Sequence, residues 1–220
     1  MQVAQKRAGP VHALLMFGAL ALVVSGVLAV PWPLYLLLPL AIYAAIVIAV
    51  PSLRVTAPSL ALGRMCGPAI AFAIAVCVAT SGVLVAFHML ARPDLSGAAI
   101  RLPLTSPVVL ILVGACFSIV NAVLEELIFR GILWEVVAAE WNARVALVVT
   151  AFLFGAFHLH GYPSGLLGML LASMYGLALG LLRWWTGGLG LAIACHICAD
   201  ATIFGLLVWS GVIAGSEGGR

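Results

Sequence analysis

Of the seven acidic residues in this chain, Asp94, Glu135, Glu140 and Glu217 fall in polar connections or the tail, whereas Glu125, Glu126 and Asp200 fall inside long apolar runs. An acidic side chain near the middle of a bilayer costs about 2.5–3.5 kcal/mol on insertion scales, so it is expected to be paired or functional. Glu126 and Arg130 stand four apart, one above the other on a helix, and can pair. Glu125 is turned about 100° from Glu126 and has no basic residue at that spacing. Among the histidines, His12 and His88 lie at the edges of apolar runs and His160 precedes a Gly-Tyr-Pro turn, while His158 and His196 sit deeper. His196 and Asp200 are four apart and share a helix face. The candidate site is therefore Glu125, His158, His196 and Asp200, with Glu126 and Arg130 as a structural pair. The bland reading of the same residues is helix bridging by buried hydrogen bonds. A solute or proton pathway would also use these residue types.

These groups suit attack of water on a peptide carbonyl. A carboxyl group in a low-dielectric cavity holds its proton to higher pH than in water and can act as general base or acid near neutrality. A histidine beside it can share the proton or hold the water. A second histidine with an acid one turn away can serve a developing oxyanion. The same donors could instead hold Zn²⁺, with His158, His196 and either Glu125 or Asp200 as ligands and a position left for water. The H-E-x-x-H metalloprotease signature is absent, and so is the G-x-S-x-G nucleophile elbow. We assign no cofactor and keep zinc as the alternative.

The elements that must position these residues are membrane helices. The chain is 65% hydrophobic and 8% charged, with a mean hydropathy of +1.26, whereas a soluble domain carries about 25% charged residues. A net charge of +3 gives no reason to expect nucleic acid as a partner. Seven apolar runs follow one another: 11–30, 34–50, 65–90, 107–134, 145–159, 166–182 and 188–212. A basic start before the first run resembles a signal peptide, but its length and the runs after it predict a retained span. Gly176-x-x-x-Gly180 in the sixth run predicts a close helix approach. Arg183-Trp184-Trp185 reads as an interfacial anchor. Cys195-x-x-Cys198 lies in an apolar helix, and its thiols read as small hydrophobes rather than a redox or metal pair.

With the N-terminus inside, Lys6, Arg7, Arg54, Arg64, Arg144 and Arg183 fall on the cytoplasmic side and Arg92, Arg101 and Arg220 outside, which favours that orientation. At about 1.5 Å per residue, Glu125 lies about 15 Å from the inner end of its run, His158 about 21 Å and His196 about 20 Å. Three runs of alternating direction thus place their polar residues in one layer. The expectation is an all-α, polytopic bundle of about seven transmembrane helices. It forms one domain (1–220), with accessory helices over 1–106 and a four-helix catalytic half over 107–212.

Three motifs in order sharpen this. Glu125-Glu-Leu-Ile-Phe-Arg130 fits E-E-x-x-x-R, Phe154-Gly-Ala-Phe-His158 fits F-x-x-x-H, and His196-Ile-Cys-Ala-Asp200 fits H-x-x-x-[N/D]. On successive membrane helices they resemble the CPBP family, the CAAX prenyl proteases and bacteriocin-processing (Abi) proteins. The resemblance covers about 107–212. It implies an intramembrane endopeptidase acting on a membrane-associated peptide or protein, with Glu125 and His158 activating water. It makes His196 and Asp200 the oxyanion and substrate-positioning pair and leaves Glu126 and Arg130 to brace the site. Asp200 stands where the prenyl-processing members have Asn, so a bacterial peptide, pheromone, bacteriocin leader or sorting signal is the expected substrate. The composition points to a bacterial inner membrane. The rival function is a non-catalytic assembly or immunity factor of the same fold, or a small transporter.

Overall fold

The computed structural model describes residues 2–24, 31–54, 58, 60–93, 95, 100–102, 106–211 and 213–215. Asp94, Glu217, Arg220 and the end of the first apolar run (25–30) lie outside them. So do the side chains of Lys6, Arg7 and Arg101. The fold is helical: α1 (Gln2–Val24), α2 (Leu34–Ala49), the single turn α3 (Pro51–Arg54), α4 (Gly67–Ala91), α5 (Pro107–Glu126), a π-helical turn (Leu127–Leu133), α6 (Trp134–Glu140), α7 (Ala143–Phe157), α8 (Gly165–Thr186) and α9 (Gly190–Trp209). A three-residue strand, β1 (Ile100–Leu102), pairs in parallel with β2 (Ile213–Gly215).

Among the described residues, four helical stretches are long and apolar enough to cross a membrane: Gly67–Ala91, Pro107–Glu140, Gly165–Thr186 and Gly190–Trp209. Three shorter apolar helices, Gly9–Leu22, Leu34–Ala49 and Ala143–Phe157, complete the seven expected runs. Outward-facing Leu90, Leu166, Ile111 and Val78 are more than two-thirds exposed, which suits lipid rather than water. The protein is a polytopic helical membrane bundle.

Local chemistry sets the element ends. Pro107 and Pro68 occupy first-turn positions, where the missing N–H is no loss. Asn142 caps α7, its Oδ1 accepting from the N–H groups of Arg144 and Val145 at 3.0 Å each. The expected polar connection over 135–144 is shorter than its sequence suggested, because α6 continues to Glu140 and only Trp141 and Asn142 join it to α7. The fourth run is not one regular helix either, since the π turn interrupts it directly after Glu126.

Glycines mark several close approaches. The expected close helix approach at Gly176 is made by α7: a Cβ on Gly176 would lie 3.0 Å from Ala151 Cα and 3.2 Å from Arg130 Nη2. The loop before α4 docks its backbone on the α8–α9 turn, with Leu189 N–H donating to Ala61 O and Arg64 N–H to Thr186 O, each at 2.9 Å. Gly63 (φ 82°) and Gly188 meet there backbone to backbone, and a side chain on either would overlap the other.

Arg183 departs from its expected role. It is buried, and only Trp184 and Trp185 beside it are half-exposed. Its guanidinium turns inward to Glu135 and to the Arg130 carbonyl.

Gly176→Leu should therefore force α7 and α8 apart. Overpacking of this kind costs about 1–3 kcal/mol, so the melting temperature of the purified protein should fall measurably. An unchanged melting temperature would mean that the contact is not tight.

Candidate active site

The site begins with a charge pair sealed from solvent. Glu126 and Arg130 are fully buried, and Arg130 Nη1 donates to Glu126 Oε1 at 2.7 Å. Arg130 Nη2 donates to the Gly176 carbonyl at 3.1 Å, and the guanidinium lies 4.4 Å from the Phe154 ring centroid. The pair is thus tied to α8 by hydrogen bond and to α7 by an aromatic face. Arg183 Nε supplies a further donor, 3.1 Å from the Arg130 carbonyl. Helices often open into a π turn at functional sites, and here that turn carries Arg130.

Glu126 has a second task that its i,i+4 spacing did not reveal. Its Oε1 also lies 2.8 Å from His196 Nδ1 on α9. A carboxylate can only accept, so Nδ1 carries the proton and Nε2 points to the rest of the site. Nε2 lies 3.6 Å from Glu125 Oε2 and 3.9 Å from Asp200 Oδ1. Both separations exceed direct hydrogen-bond range and leave the ring nitrogen within one water of each carboxyl group.

Glu125 is therefore not isolated, as its helical spacing suggested, since its partners come from other positions. Asn121, one turn earlier on α5, donates from Nδ2 to Glu125 Oε1 and to Asp200 Oδ2, each at 3.2 Å. Trp32 Nε1 donates to Asn121 Oδ1 at 3.0 Å and so orients the amide. Asn121 and Trp32 were not recognised as site residues from the sequence. Asn121 carried a usable signal, a lone amide four residues before Glu125 in an apolar run. Trp32 carried none.

His158 caps the C-terminal end of α7, and its Nδ1–H donates to the Phe154 carbonyl at 2.8 Å. The Phe154 ring stands between the histidines, with centroids 4.6 Å from His158 and 5.5 Å from His196. His158, His196 and Asp200 line one cavity of about 230 Å³ bounded by α4, α7, α8 and α9. These three residues thus share one cavity. Glu125 is not part of the cavity lining and reaches it through His196. No contact joins Glu125 directly to His158 among the described residues.

Among the described residues no three His, Cys, Asp or Glu side chains are grouped so as to hold a metal ion. The cysteines are free thiols. Cys195 is buried with its Sγ 3.4 Å from the Ala73 carbonyl, and Cys198 Sγ is 3.9 Å from Ser81 Oγ, so both serve helix packing.

The fold is thus a helical membrane bundle with a buried cluster of acids and histidines beside an apolar cavity. Residues 107–202 match the family described as Rce1-like: Type II CAAX prenyl endopeptidase Rce1-like. That segment contains all three motifs and is similar to the CPBP family, whose activity at the family level is intramembrane endopeptidase of the CAAX type. No curated protein and no solved structure matches the chain.

Loss of Glu126 would leave Arg130 without its carboxylate and free His196 Nδ1. Breaking one side of a buried pair costs about 3–5 kcal/mol. Glu126→Ala should lower the melting temperature in detergent far more than Glu125→Gln, whose amide can still accept from Asn121. Equal shifts would remove Glu126 from its bracing role.

Proposed function

We propose that this protein hydrolyses a peptide bond in a membrane-associated peptide or protein. Water is activated by Glu125 with His158, and the carbonyl oxygen is received at His196 and Asp200. Glu125 takes a proton from the water as its oxygen bonds to the carbonyl carbon. The C–N bond then breaks, and the proton passes to the leaving nitrogen. Protonated, His196 offers Nε2–H to the oxyanion, since its Nδ1–H is already committed to Glu126. His158, with Nδ1–H given to Phe154, has Nε2 left to hold the water.

The observation that carries this reading is the position of His196 Nε2, between two carboxyl groups at 3.6 and 3.9 Å and on the wall of the cavity it shares with His158. The chain acts as one membrane domain, with 107–212 supplying the chemistry and 1–106 framing it. The host membrane is a bacterial inner membrane with the N-terminus in the cytoplasm, and the substrate is a peptide carried to that membrane. No step uses a metal.

Glu125→Gln should abolish cleavage while leaving the protein folded and inserted. Wild-type turnover by that variant would remove Glu125 as the base. Asp200→Asn should keep measurable activity, because an amide can also donate to an oxyanion. Activity should survive exhaustive chelation. One zinc per chain by elemental analysis, lost together with activity in Asp200→Asn, would replace this mechanism by a zinc one.

Orientation has its own test. Trp141 is 66% exposed between α6 and α7. In a background without native cysteines, Trp141→Cys should react with a membrane-impermeant thiol reagent from the cytoplasmic side. Reaction from outside would invert the topology.

A further inference from the structure

Tyr175, on α8, was not singled out by sequence reasoning. Its ring stands edge-on to His196, with centroids 6.0 Å apart and planes at 89°. It lines the same cavity as His158, His196 and Asp200. Its hydroxyl oxygen is buried, and no hydrogen-bond partner for it exists among the described residues. Two other tyrosines behave differently: the Tyr43 hydroxyl lies 2.8 Å from His12 Nδ1 and that of Tyr162 lies 2.8 Å from His88 Nδ1. A buried hydroxyl without a partner is unfavourable, and phenylalanine would fill the same volume without that cost. The arrangement makes sense if the partner is something that enters the cavity.

The charge balance of the site indicates what that partner is. Asp200, when ionised, accepts hydrogen bonds and donates none. The Asn121 amide hydrogens are committed to Glu125 and Asp200. The His158 Nδ1–H is committed to Phe154. A tetrahedral intermediate places negative charge on the former carbonyl oxygen, which needs donors aimed at it. His196 Nε2 supplies one only while protonated. A phenol supplies a neutral donor in either state of that ring.

We propose that Tyr175 is a further catalytic residue, whose hydroxyl donates a hydrogen bond to the carbonyl oxygen of the scissile peptide beside His196. This rests on the endopeptidase reading above. The phenol keeps its proton throughout and takes part in no bond exchange.

The test uses full-length protein in lipid nanodiscs and a set of internally quenched peptides, some carrying a farnesylated C-a-a-X end and some unmodified. Tyr175→Phe should lower kcat about 100-fold with KM changed by no more than about threefold, as expected for a donor engaged chiefly in the transition state. Its melting temperature should stay the same or rise, because no internal hydrogen bond is lost. Wild-type kcat in Tyr175→Phe, with Glu125→Gln inactive, would overturn the role of Tyr175 alone. So would a lost activity matched by a lower melting temperature, which would make Tyr175 a packing residue. If wild type cleaves no member of the set, or Glu125→Gln cleaves as well as wild type, the endopeptidase reading falls and Tyr175 falls with it.

Discussion

The buried contact between Arg130 and Glu126 is the constraint on which the rest of the structure depends. Two charges out of water are tolerable only if each is closely satisfied, because desolvation costs several kcal/mol per ion. Three helices supply the partners, and Glu126 Oε2 and Arg130 Nε are left without one among the described residues. Glu126 receives Arg130 from its own chain segment and His196 from α9. Arg130 reaches the Gly176 carbonyl on α8 and lies over Phe154 of α7. At Gly176 a Cβ would press on Ala151 at 3.0 Å and on the guanidinium at 3.2 Å, so a larger side chain would displace one of them. One ion pair thus dictates where α7, α8 and α9 meet, and fixes which nitrogen of His196 faces the reaction space.

A second anchor works by counting donors. One amide, Asn121, has two N–H bonds and serves two carboxyl groups on different helices. Its oxygen is held by Trp32, which lies before α2. The geometry of Glu125 and Asp200 therefore depends on a residue from the first third of the chain. The Gly63–Gly188 contact does the same for the entry to α9, locking the loop before α4 against the turn that aims His196. The early helices are more than a membrane anchor, since they hold the angles of the polar cluster.

The cavity adds to this dependence. The segment that matches the family runs from 107 to 202. One wall of the cavity, however, is built by Val76, Thr80 and Leu84 of α4. The matched segment by itself would leave the site open on that side. Apolar residues from α4 and α8 line the cavity beside the histidines, so the peptide substrate proposed above would leave water behind on entering. Hydrogen bonds to the reacting carbonyl gain strength in such surroundings.

Much was determined by the sequence alone. The seven apolar runs, their approximate ends and the shared level of His158 and His196 follow from hydropathy and the helical rise, which are local properties. The Glu126–Arg130 pair and the His196–Asp200 face follow from the 3.6-residue period. The Gly176–Gly180 approach was legible because small residues at that spacing have few other uses. What only the tertiary structure decided are the partners across helices, since helical period is blind to rotation of one helix about another. Hence the contact of Glu125 with His196 on α9 was hidden, although Asn121, one turn earlier on its own helix, was within reach of the period. Glu126 looked fully occupied by Arg130, although its oxygen also holds His196. Arg183 has the local pattern of an interfacial anchor, and only the placement of Glu135 and the Arg130 carbonyl beside it turns it inward. The π turn escaped notice because its sequence is that of an ordinary apolar helix. Tyr175 could not be read at all: a tyrosine in an apolar run acquires meaning only when its ring lines a cavity and its hydroxyl is buried without a partner.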